Sequence, residues 1–455
     1  MQNRFLNRTL PLLVLILSFL APVLPAQNTV GTLAGDGIAG FTNGDTSIAR
    51  FNSPNGIGID TSGNLYLCDG DNHVIRKIAT DGTVSTFAGT GQSGYIDGPA
   101  SFARFNTPYN LVVAPNGDIY VSDFLNQRIR KITQGGVVST VAGTGVAGLM
   151  DGPDSVAQFN FPRGITMDDA GNLYIGDSWN HRIRKIDPSG NVSTFAGGGT
   201  SIGVQSPGDY VDGPDTTARF WTPTEVCIDS AGNLYVADAF NHRIRRVDPS
   251  QNVTTVAGSG VSGSGGGGFQ NGPGNQALFA TPTAVYASRD GNLYVGDGSN
   301  QRIRQIDASG VVSTYAGSGA TGMSDGVDSL ATFDYPRGIV INYSINRMYV
   351  VDLFNHAIRY VQFGPFVNRE GPQAIELLVA PNPFKDKVSI SLPGQFGNGD
   401  LLITDLNGKL VARQSVSLED KVDADLSDLN PGVYFIRLQI EGQTEITRKV
   451  VKITP

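Results

Sequence analysis

The chain has 455 residues, a formal net charge of −8 at pH 7, 58 glycines, 24 prolines and two cysteines. Its acidic balance argues against nucleic acid or an anionic membrane surface as a partner. With only Cys68 and Cys227 available, the fold is expected not to depend on disulfides, each thiol serving as a small buried hydrophobe.

In residues 1–26, Arg4 and Arg8 precede the apolar run Leu10–Leu20, and Leu24-Pro25-Ala26 precedes Gln27. That order predicts a secretory signal peptide, too short and wrongly flanked for a membrane span. Without it the chain keeps 31 basic and 41 acidic side chains, a charge of −10. The residue after the cleavage point is Gln27 and not a cysteine, so a lipoprotein anchor is not expected, and no transmembrane segment is expected in the mature protein.

From residue 64 a phrase of the form Asn-Leu-Tyr-Val-x-Asp-x-x-Asn-His-Arg-Ile-Arg-Lys-Ile recurs six times at intervals of 54–61 residues. The copies are Asn64–Ile78, Asp118–Ile132, Asn172–Ile186, Asn233–Val247, Asn292–Ile306 and the divergent Arg347–Val361. A period of this length marks a propeller or array, each unit burying its apolar face against its neighbours. Within Gly164–Gly197, short runs at Ile165–Met167, Leu173–Ile175, Ile183–Ile186 and Val192–Phe195 are separated by Gly- and Pro-containing turns. Such runs predict four antiparallel strands, one blade of an all-β, six-bladed propeller. The fourth-strand phrase Val-x-Thr-x-Ala-Gly follows the first five copies but not the sixth, while Val30–Gly35 carries it ahead of the first. The N-terminal strand is therefore expected to complete blade 6 and close the ring, removing exposed sheet edges.

These phrases resemble the NHL repeat family, through Asn72-His73-Val74, Asn180-His181-Arg182, Asn241-His242-Arg243 and Asn355-His356-Ala357, with Gln127 and Gln301 in place of His in blades 2 and 5. The resemblance covers roughly residues 29–362 within an expected propeller domain of 27–363, and implies the six-bladed fold rather than a function. Peptidylglycine amidating lyases of the same architecture hold a metal with histidines near the axis. Here His73, His181, His242 and His356 share one repeat position and disperse around the ring, so no metal or other cofactor is expected. The repeated Asp and the Arg seven residues later, from Asp69 and Arg76 to Asp352 and Arg359, are expected to pair across the hairpin or to bond the turn backbone. Five Gly-x-Gly-x-x-Gly segments lack the helix and acid of a dinucleotide site and suit tight loop turns. The Phe of each Ala-x-Phe in the inter-blade loops is expected to plug between blades, next to a helical turn; the loop carboxylates lack the spacing of a known calcium loop.

Residues 364–374 predict a linker, and 375–455 a small β-sandwich of closely spaced strands. Pro381-Asn382-Pro383-Phe384, Asp405-Leu406-Asn407-Gly408-Lys409, Leu429-Asn430-Pro431-Gly432-Val433-Tyr434 and Lys449-Val450-Val451-Lys452 resemble, in order, the type A C-terminal sorting domain of the type IX secretion system. The resemblance implies that the type IX machinery is a partner through 375–455. It also implies a secreted or outer-membrane cell-surface location, with the sorting domain usually cleaved and the cargo released or held on lipopolysaccharide.

Candidate function lies where the repeats disagree. After the Pro that begins each innermost strand stand Asn55, Tyr109, Arg163, Thr224, Thr283 and Arg337, followed by Gly56, Asn110, Gly164, Glu225, Ala284 and Gly338. These residues are expected to ring the channel mouth. Arg163 and Arg337, on opposed blades, with Asn55, Tyr109, Asn110 and Glu225, suit a carboxylate or polar glycan; the alternative is that each Arg pairs with a loop Asp and solvates the rim. No catalytic set stands outside the repeat-locked positions. The leading expectation is a binding module for a glycan, peptide or protein, and its rival a lyase- or lactonase-type enzyme at the channel.

Overall fold

Alternating β-branched and aromatic residues give each repeat short strands that expose one face to the blade on either side. Blade 3 shows the plan: Pro162–Met167 is innermost, followed outward by Leu173–Asp177, Arg182–Ile186 and Asn191–Ala196, all antiparallel. The computed structural model describes residues 28–199, 208–263 and 265–363 in one compact unit, and 378–380, 385–391, 398–405, 409–417, 421–440 and 446–452 in another. The expected signal peptide, the linker and Pro381–Phe384 lie outside these residues.

Six sheets of this plan make the propeller, and each carries a fifth strand beyond the expected four. The addition is two residues long, Gly152–Pro153 in blade 3, pairing with the outer strand through Gly152↔Val192 and Pro153↔Asn191. A Pro suits that place, since a sheet edge needs no donor on its outward side. Two residues carry no periodicity, so the segment reads as a turn in the sequence. The ring closes as expected: Thr29–Ala34 pairs with Ala357–Gln362 in blade 6 and takes its own edge partner, Gly326–Val327.

Among the described residues of the propeller, burial divides into six apolar clusters, one at each junction between blades, and each includes one Phe of the inter-blade loops: Phe51, Phe105, Phe159, Phe220, Phe279 or Phe333. Phe51 lies among Leu67 and Ile78 of blade 1 and Val351 and Ile358 of blade 6. Each such ring stabilises its junction by about 2–3 kcal/mol. The helical turn stands just before it, where the Ala49 N–H donates to the Asp45 carbonyl.

The repeated Asp and Arg meet in every blade as fully buried ion pairs, with Nη1–Oδ2 distances of 2.6–2.9 Å. Arg184 also donates to the carbonyls of Met150 and Gln158 and to Asp151, binding the inter-blade loop to its blade. Asp177 accepts from the Asn160 N–H and the Asn180 amide as well. Breaking such a pair from one side strands a buried charge, at about 3–5 kcal/mol. The loop carboxylates Asp97, Asp151, Asp212 and Asp325 are held by these arginines. Cys68 and Cys227 are both free thiols.

The second unit contains a three-stranded and a four-stranded antiparallel sheet. Val388, Leu401, Ile403, Ala424, Leu426 and Ile436 are buried there. Buried Lys452 donates through Nζ to the carbonyls of Leu426 and Ser427, both at 2.7 Å.

Candidate functional site: the mouth of the central channel

The chain enters each innermost strand through a residue with positive φ that is not glycine: Ser53, Thr107, Phe161, Thr222, Thr281 and Tyr335, at 51–62°. A left-handed conformation is costly for such residues and persists where the surroundings fix it. What fixes it here is the preceding blade. The N–H of Ser53, Thr107, Thr222 and Thr281 donates to Nδ1 of His356, His73, His181 and His242, at 3.0–3.1 Å. Phe161 and Tyr335 donate to Oε1 of Gln127 and Gln301, both at 2.6 Å. The histidines accept through Nδ1, which requires the neutral ring. Burial lowers the pKa of His73, His242 and His356 accordingly.

Beyond these turns the repeats diverge. Arg163 and Arg337 start on opposite blades, yet their guanidinium carbons lie 5.2 and 5.1 Å from the centroid of one ring, Tyr109. Arg163 also faces Phe124 at 5.4 Å, and Arg337 faces Tyr335 at 5.4 Å. Asn55 serves as a bracket: its Oδ1 accepts from Arg337 Nη1 and its Nδ2 donates to the Ser53 carbonyl at 3.0 Å. Burial, with the Arg337 charge as a smaller cause, lowers the Arg163 pKa against the opposing pull of Tyr109. Among the described residues, neither Arg163 nor Arg337 has a carboxylate within ion-pairing distance.

Asn110 and Glu225 form a separate pair one residue further along their strands. The Asn110 amide donates to both Glu225 carboxyl oxygens at 2.6 Å, and Glu225 also accepts from the Val226 N–H at 3.2 Å. They meet across blade 3 because Gly164 has no side chain: a Cβ there would come within 2.6 Å of the Glu225 Cα. Burial raises the Glu225 pKa to about 8, against those hydrogen bonds. The pair borders a channel cavity of about 180 Å³ whose other walls are chiefly apolar, including Leu111, Val226, Val285 and Ile339.

Sequence reasoning named Tyr109 but missed the other aromatic residues of this face. Tyr109, Phe124, Phe161 and Trp179 form a continuous row, with centroids 5.5, 4.9 and 3.8 Å apart in turn. Trp221 packs on Phe240, and Tyr335 on Phe354. Apart from Tyr109, they stand just before the strand-opening Pro or inside the Asp-x-x-Asn turn. Comparing the blades at those places too, rather than only after the Pro, would have found them.

Residues 159–186 and 220–247 match the NHL repeat, and 378–453 match a secretion system C-terminal sorting domain. The chain carries NHL repeats and a secretion system C-terminal sorting domain. The chain is similar to Protein SUPPRESSOR OF QUENCHING 1, chloroplastic, of Arabidopsis thaliana, 30% identical over 288 residues, covering 60% of this chain and 27% of that protein. Human NHL repeat-containing protein 2 is 28% identical over 300 residues, covering 59% and 40%. The NHL chain thus spans well under two thirds of the length of either relative. The fold is shared with an auxiliary nutrient binding protein from Bacteroides thetaiotaomicron, at a TM-score of 0.56 and 18% identity over 74% of this chain and 76% of that one. The sorting domain indicates type IX secretion to the cell surface or extracellular space. Among the described residues no helix is long and apolar enough to cross a membrane.

Proposed function

We propose that this NHL propeller is a secreted or cell-surface recognition module. It is exported by the type IX machinery through residues 375–455 and takes a glycan, peptide or protein ligand at the channel mouth. The observation that carries this reading is a division of labour. The repeated Asp, Arg and His/Gln side chains are engaged within the scaffold, while residues found once or twice gather on the mouth face as an arginine and aromatic surface. Such a surface suits binding, with few polar groups fixing orientation beside apolar contact area. Nutrient binding by the Bacteroides thetaiotaomicron protein of the same fold is in keeping with it.

The test is an array of glycans and peptides probed with the full chain and with Arg163→Ala/Arg337→Ala. Binding by the wild type and its loss in the variant is the expected result. Binding that survives the substitution would move the site to the inter-blade loops. A lyase or lactonase is favoured by one feature, the buried Glu225, since a carboxyl near pKa 8 has a proton to give at neutral pH. Absence of binding to every probe, with turnover abolished by Glu225→Gln in a substrate screen, would establish that rival.

A further inference from the structure

Two cations share the mouth without a counter-charge. Arg163 and Arg337 converge on Tyr109, and among the described residues neither has a carboxylate within ion-pairing distance. The arginine seven residues after each repeated Asp, by contrast, is matched to a buried carboxylate in all six blades. Gathering like charges in a partly buried place costs both solvation and Coulomb energy, and a bound anion offsets both. The guanidinium fork favours a planar oxyanion with two acceptor oxygens, which a carboxylate provides.

The neighbouring rings define the remainder of the ligand. Phe124, Phe161 and Trp179 are partly exposed and continue from Tyr109 in one row beside Arg163. Aromatic faces carry negative charge density and attract weakly positive C–H bonds, which a pyranose ring presents in number. The chain as a whole is acidic, at −8, so a polyanion would be repelled at long range and the ligand charge has to be local. Taking the mouth as the binding surface proposed above, we infer that the ligand is a saccharide bearing a single carboxylate, a uronic acid residue. The carboxylate lies between Arg163 and Arg337 and the sugar ring against the row from Tyr109 to Trp179.

Calorimetry on the full chain tests this with three probes: a glucuronosyl-terminated disaccharide, its neutral glucosyl counterpart, and a short neutral peptide with a free C-terminal carboxylate. The acidic disaccharide is expected to bind at least tenfold more tightly than the neutral one and to weaken as NaCl rises from about 50 to 500 mM, as screening requires. Arg163→Gln/Arg337→Gln should remove the preference at unchanged Tm, and Trp179→Ala should weaken the sugar at least tenfold. If the double variant melts early, the acidic-to-neutral ratio and salt dependence of the wild type decide alone. Equal affinity for both sugars, weakened by Trp179→Ala, overturns the carboxylate inference and leaves the mouth as a binding surface. Tighter binding of the peptide than of either sugar overturns the saccharide. Failure of all three overturns this inference, and failure of the wider array as well removes the binding reading.

Discussion

At the blade junctions one position performs one task with two chemistries. His Nδ1 in four blades and Gln Oε1 in two accept the N–H of the strained residue in the next blade. Only the histidines can lose that acceptor by protonation. The folded-state pKa of His73, His242 and His356 lies below the ordinary value, chiefly through burial. The unfolded chain therefore binds protons first as pH falls. The stabilisation is complete above the unfolded pKa of about 6.5 and is lost as pH drops through the folded values. Replacing His73, His242 and His356 with Gln should preserve folding at pH 7.5 and flatten the decline in denaturation midpoint between about pH 7 and 5 relative to wild type. Parallel urea titrations measure it; equal slopes would mean that the imidazoles do not carry the acid sensitivity. Carboxylates contribute to both proteins alike, so the difference between the two curves isolates the histidines.

The element on which the ring depends is the N-terminal strand Thr29–Ala34, whose partners lie roughly 330 residues away in the sequence. Gly31 is packed against the Tyr360 ring, where any Cβ would overlap it. Gly31→Val should therefore open the closure, leaving Ala357–Gln362 as an unpaired edge prone to intermolecular pairing. Expected are a Tm lower by several degrees and oligomers on size-exclusion chromatography with light scattering; an unchanged monomer with unchanged Tm would show that closure does not depend on this strand. This joint was legible because the Val-x-Thr-x-Ala-Gly phrase, missing after Val361, stands at Val30–Gly35. The Phe plugs and the Asp–Arg pairs were legible for the same reason: a device written six times reveals its role by recurrence. The fifth strands were not, because Gly152–Pro153 and its equivalents are too short to show a period and gain strand geometry only from a partner about 40 residues away. At the mouth, divergence after the Pro identified Arg163 and Arg337, but side-chain reach across the ring decides which groups meet. Asn110 meets Glu225 only because Gly164 lies between them, and the row ending in Trp179 joins residues from two blades.

For the molecule as a whole, the sorting domain and the proposed recognition surface reside in different units. The ring is closed by residues that all precede 363, and the second unit has its own two sheets and buried side chains, including Lys452 held by the carbonyls of Leu426 and Ser427. A chain ending at residue 374 should therefore keep the propeller fold, with a Tm within about 2 °C of the intact protein, since no junction cluster loses a residue. It should nevertheless fail to reach the surface, because the sorting domain at 378–453 is the part the secretion machinery reads. Fractionation of cells producing both forms, with surface protease accessibility as a second readout, separates the two effects. A truncated chain that is folded and retained in the periplasm is the expected outcome. A truncated chain that still reaches the surface would place the export signal within the propeller, and one that unfolds would mean that the second unit stabilises the first. Because the mouth residues belong wholly to the propeller, the retained form purified from the periplasm should also bind whatever the intact protein binds, with unchanged affinity.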